Sequence, residues 1–139
     1  MQFSFRSRLH CGIAAAILFL IAPVLAQETP PPDPPNGFSS QERGALRLSY
    51  VQVRQLKVIS AAHLPPFYPK EAAARGQVGK AKLDLLVDAS GAVVDARVLE
   101  EDPLAMGFGE AAAAATKTSK FWNPFNRLVA FTTTVRFAP

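Results

Sequence analysis

Very little in this sequence can bind a metal or move a proton at neutral pH. One cysteine, Cys11, and two histidines, His10 and His63, stand among 139 residues. A single thiol gives no internal disulfide and no cysteine-based metal site. A lone histidine lacks the companions that a metal or a general base requires. Net charge is also small, since 15 Lys and Arg stand against 11 Asp and Glu. That balance argues against nucleic acid as a partner. A long apolar run is missing as well. The stretch Cys11 to Leu25, interrupted only by Gly12 and Pro23, has 15 residues. As a helix it reaches about 22 Å, short of the roughly 30 Å hydrocarbon core of a bilayer.

What is present at the start suits export. Arg6 and Arg8 precede the apolar run, and Val24-Leu25-Ala26 offers small residues for cleavage before Gln27. Residues 1–26 are therefore read as a signal peptide. Retained, the same segment would be a single-pass inner-membrane anchor facing the periplasm. Cleavage removes Cys11 and two arginines, leaving 13 Lys and Arg against 11 Asp and Glu.

Beyond the leader, "TPPPDPPNG" places five prolines in nine residues, Thr29 to Gly37. Proline at that density excludes helix and sheet interior. Residues 27–45 are read as a disordered, solvated linker, in preference to a ligand for an aromatic groove. Residues 46–64 form a lead-in taken as extended, on Val51, Val53, Val58 and Ile59. Pro65-Pro66 closes it.

The remainder is ordered by pattern. Pro69 suits the first turn of a short helix, Lys70 to Arg75, which Gly76 can end. Ala81, Leu83, Leu85 and Val87 alternate with Lys82 and Asp84, and Leu86 interrupts the polar side. Asp88 to Gly91 is a hairpin connection. The return strand carries Val94, Ala96 and Val98 on one face, Asp95 and Arg97 on the other. Asp102-Pro103 can start a second helix. Its stripe runs through Phe108, Ala111, Ala115, Ser119 and Trp122, and Asn123-Pro124 ends it. Val129, Phe131, Thr133, Val135 and Phe137 share one face of a last strand. The order is α-β-β-α-β. The fold class is α+β, a small three-stranded antiparallel sheet with a helix packed on one face.

Candidate chemistry is thin. Glu100-Glu101-Asp102 reads as a strand end with a helix cap rather than an acid–base pair or calcium site. No Gly-x-Ser-x-Gly elbow occurs. Gly107-Phe108-Gly109 lacks the rest of a phosphate loop. Trp122, Phe125 and Phe131 read as core or core rim before they read as a stacking platform. No catalytic residue, metal ligand or cofactor site is expected, and the protein is not read as an enzyme. The backbone remains: a terminal strand at a sheet edge offers unpaired N–H and C=O groups to an extended peptide.

The ordered set Tyr68-Pro69, Gly79, the turn ending at Gly91, Trp122-Asn123-Pro124 and the strand ending at Phe137 resembles the C-terminal domain of TonB-type energy transducers. One departure is Lys120, where that family usually carries a tryptophan. The resemblance covers roughly 66–138 and implies an αββαβ fold in the periplasm. It implies binding rather than catalysis, with the last strand pairing to a short extended segment of an outer-membrane transporter. Carried over, the peptide-binding strand is Val129, Ala130, Phe131, Thr132, Thr133, Thr134, Val135, Arg136 and Phe137, with Tyr68 and Pro69 nearby. The alternatives are a transducer anchored by a retained leader and an assembly protein that dimerises through its own edge strand. The exported protein is expected to begin at Gln27, as N-terminal sequencing of periplasmic material will show. Recovery of Met1 from the membrane fraction would instead establish the anchor.

Overall fold

The computed structural model describes residues 29–138, so the leader expected over 1–26 lies outside the described residues. The central element is strand β3, Gly79–Val87. Ala81, Leu83, Leu85 and Val87 are all at most 1% exposed, as the alternation requires for a core face. Asp84 and Leu86, on the opposite face, are equally buried. Both faces of β3 are therefore covered.

Strand β4, Val93–Asp102, and strand β6, Val129–Phe137, flank β3 in antiparallel register. Helix α4, Phe108–Thr116, packs on the inner face. The sheet has a fourth member that the sequence reading did not contain. Strand β1, Leu46–Arg47, pairs parallel to β6, giving the order β1-β6-β3-β4. A separate antiparallel pair joins β2, Lys57–Ser60, to β5, Lys120–Trp122. The lead-in is thus only partly extended, since helix α2, Tyr50–Val53, separates β1 from β2.

Three local expectations need correction. The register of β4 against β3 slips at Val94 and at Leu99. These bulges turn Val93, 8% exposed, into the core and Val94, 51% exposed, out of it. Glu101 also faces inward as a result, and its carboxylate accepts from the N–H groups of Met106, Gly107 and Gly109. The carboxylate that caps α4 therefore belongs to Glu101, not Asp102, and it sits at the positive end of the helix dipole. Finally, α4 stops at Thr116, well before Trp122. The Thr116 and Thr118 hydroxyls donate to the Ala113 and Ala115 carbonyls, the local bonding by which hydroxyl residues compete with helix continuation.

The outer face is closed by the stretch read as a linker. Phe38 is 1% exposed and clusters with Leu86 and Ala130. Helix α1, Ser40–Arg43, follows, capped by the Ser39 hydroxyl. Chain order then puts Leu46 and Leu48 toward the inner core and Arg47 toward the outer face. There Arg47 is 4% exposed and meets Asp84, which is fully buried. Its Nη1 stands 2.5 Å from Asp84 Oδ1, and its Nη2 donates to Asp84 Oδ2 at 3.0 Å and to the Phe38 carbonyl at 2.8 Å. The Phe38 N–H donates to Asp84 Oδ2 at 2.8 Å. Asp33 accepts from Arg47 Nε at 2.8 Å. Among the described residues no buried side-chain polar atom lacks a partner. Removing one member of such a pair strands the other charge in the interior. Asp84→Ala is expected to lose about 3–5 kcal/mol in urea unfolding, and Asp84→Leu combined with Arg47→Leu to recover most of it. A loss below about 1 kcal/mol for the single variant would contradict a paired buried charge.

Candidate functional site: the open margin of the last strand

In an antiparallel ladder, the N–H and C=O of one residue point to the same side, and successive residues alternate. Leu46 and Leu48 donate their N–H groups to the carbonyls of Leu128 and Ala130, both at 2.9 Å. Even-numbered residues of β6 therefore face away from β3. Odd-numbered residues face β3, where Phe131, Thr133 and Val135 lie opposite Leu85, Leu83 and Ala81.

The strand β1 covers only the first part of that margin. After Leu48, Ser49 caps α2 in a reciprocal box with Gln52 and turns the chain away. Past Ala130, no strand among the described residues pairs with this side of β6. The backbone groups left open belong to Thr132, Thr134 and Arg136. Of the nine residues expected to form the binding strand, Val129 and Ala130 are fully buried beside β1. Phe131, Thr133, Val135 and Phe137 turn their polar backbone to β3. Outward, unpaired backbone thus remains at three of these nine residues, Thr132, Thr134 and Arg136.

Of the hollows that border this stretch of β6, two flank the lane at its two ends. One, about 530 Å³, is bordered by Thr132 to Thr134 on the strand, by Tyr50 and Val53 of α2, and by the Pro31–Pro34 stretch. The other, about 440 Å³, lies where the strand ends, between Phe137, Leu64, Pro65 and Tyr68. Tyr68 packs edge-on against Phe137, ring centres 5.5 Å apart, and its hydroxyl donates to the Gln77 carbonyl at 2.5 Å.

The other motif residues are scaffold. Pro69 precedes helix α3, Lys70–Ala74. A Cβ on Gly79 would lie 2.3 Å from the Phe108 ring. Gly91 has φ 87°, and a Cβ there would lie 1.6 Å from the Phe121 carbonyl oxygen, which no side chain survives. Trp122 is 47% exposed under Lys57, whose Nζ is 5.2 Å from the ring centre. Pro124 follows Asn123, whose amide donates to the Asp88 and Arg127 carbonyls at 2.8 Å and so ties the hairpin to the approach to β6. Hydrogen bonds from Ser90, the hydroxyl foremost, hold the Asp88 carboxyl below its ordinary value and fix the turn. Among the described residues no three His, Cys, Asp or Glu side chains gather as a metal site.

The sequence reading missed Arg47, Asp84 and Asp33. One signal was available: an aspartate within Leu83-Asp84-Leu85-Leu86, in a strand buried on both faces, requires a charged partner. The partner's position, 37 residues away, was not legible.

The described residues thus form an α+β domain in which one margin of β6 is open past Ala130. The family defined as the Gram-negative bacterial TonB protein C-terminal matches residues 65–139. The chain belongs to this TonB C-terminal family, a protein-interaction domain of TonB-dependent transport that stands in the periplasm of Gram-negative bacteria. No curated protein matches the chain. Among solved structures it is similar to the solution NMR structure of the Pseudomonas aeruginosa TonB CTD. The two share 27% identity over 60% of this chain and 86% of that one, with a TM-score of 0.47. The segment that forms β1 and covers the outer face precedes the matched residues.

Burial raises the Asp33 pKa, but hydrogen bonds from Ser40 and Arg47 outweigh it and hold the carboxyl below its ordinary 3.8. A lowered native pKa adds stability that is complete above the ordinary value and is lost as pH falls through the native one. Asp33→Asn is therefore expected to be less stable than the parent at neutral pH, with the gap closing below about pH 4. Urea midpoints measured across that range check it, and a gap that stays constant with pH contradicts it.

Proposed function

We propose that this chain is a periplasmic module that captures an extended segment of a partner protein by adding it as a strand beside β6. The partner class suggested by the family is an outer-membrane transporter. The observation that carries the reading is the run of open backbone at Thr132, Thr134 and Arg136, which begins where β1 turns away. A segment entering there continues the line of β1 and meets Ser49 at one end. Its main chain bonds to β6, and its side chains alternate between the hollow beside α2 and the outer face. Nothing in this activity requires a titrating side chain.

The alternation selects the test. Proline at Thr133 removes a bond to β3 and damages the fold. Proline at Thr134 removes only an outward N–H, which edge strands tolerate. The full chain and its Thr134→Pro variant are to be immobilised and exposed to a detergent extract of outer membranes, with retained proteins identified by mass spectrometry. Wild type is expected to retain TonB-dependent transporters, and Thr134→Pro to lose them while melting only a few degrees lower. Equal retention by a folded Thr134→Pro variant would overturn the reading.

A further inference from the structure

The outer face of the sheet carries cross-strand rows of charge, and one of them is incomplete. In the row Thr134–Lys82–Glu100, Lys82 Nζ lies 3.4 Å from Glu100 Oε1. In the row Thr132–Asp84–Arg97, Asp84 is matched by Arg47, and Arg97 donates to the Gly37 carbonyl at 2.8 Å. In the row Arg136–Lys80–Asp102, two cations stand directly opposite each other on neighbouring strands. Lys80 turns to Asp102, with Nζ 3.2 Å from Oδ2. Arg136, at the open margin, pairs with no carboxylate among the described residues. Like charges directly opposite each other in a sheet are unfavourable, and opposite charges are favourable. The unfilled place beside Arg136 lies in the lane that a partner strand would occupy.

The inner side of the same lane has the opposite character. The neighbours of Arg136 along the strand, Val135 and Phe137, face inward. The hollow beside Phe137 is walled by Leu64, Pro65 and Tyr68. Side chains of an added strand alternate between the two faces whichever direction it runs.

We infer that the segment captured at β6 carries an acidic residue flanked on both sides by apolar residues. The carboxylate stands beside Arg136 on the outer face, and the apolar pair covers Val135 and Phe137. This inference rests on the strand-addition reading and narrows it to a partner chemistry.

Three capped peptides, Val-Thr-Val-X-Val-Thr-Val with X as Glu, Thr or Lys, test it by calorimetric titration of the full chain at low salt. The Glu peptide is expected to bind roughly fivefold to tenfold more tightly than the Lys peptide. Arg136→Glu, which places an acid opposite Lys80 and so spares the fold, is expected to reverse that order. Arg136→Ala is expected to abolish the difference, with the Thr peptide bound similarly by all three proteins. If the Thr peptide binds but the Glu-to-Lys ratio is the same in every protein, this inference is wrong and strand addition stands. If no peptide binds the wild-type chain, the inference falls together with the reading beneath it.

Discussion

Arg47 and Asp84 meet in the interior, where neither charge could remain alone. Burial alone lowers the Arg47 pKa, yet its bonds to Asp84 and Asp33 raise it above the ordinary value, so the guanidinium stays charged. The pair fixes a register more than it adds net stability, since apolar residues of similar volume can fill such places equally well. With Arg47 held on the outer face, Leu46 and Leu48 must enter the core, and their N–H groups must meet Leu128 and Ala130. The segment before the family domain is thereby stitched across the start of β6. Phe38 completes the cover under Arg97, whose guanidinium lies 4.6 Å from its ring centre.

From that constraint follows the extent of the open margin of β6. A free sheet edge is an aggregation hazard, and proteins shorten or cover it. Here β1 shortens it at one end, and the capping box at Ser49 ends the cover abruptly. What stays open on this side of β6 is short and flanked by apolar surface on its inner side. Arg136, its side chain on the outer face, stands at its far end. The strand addition we propose needs only such a lane, in a domain whose family serves protein interaction.

Much of this was legible in the residues. The alternation of Ala81 to Val87 and of Val129 to Phe137, and the turn at Gly91, follow from local chemistry, and the structure has them where the pattern places them. The family motif was legible for the same reason. Pairing across long separations was not. Nothing in "LRLSYVQVRQ" says that Leu46-Arg47 runs parallel to β6, because a two-residue strand has no period of its own. Proline density suggested a solvated spacer and hid the buried apolar anchor, Phe38, that folds the segment back. The bulges at Val94 and Leu99 shifted faces that strict alternation had assigned. Helix α4 was overextended because an alanine run continues in pattern through hydroxyl residues that end it in fact.

One side of β6 is open at every second residue past Ala130. Amide hydrogen exchange on the free protein reads this directly, residue by residue. Fast exchange is expected at Thr132, Thr134 and Arg136, and strong protection at Phe131, Thr133 and Val135. Uniform protection along the strand would show a covered margin and contradict it.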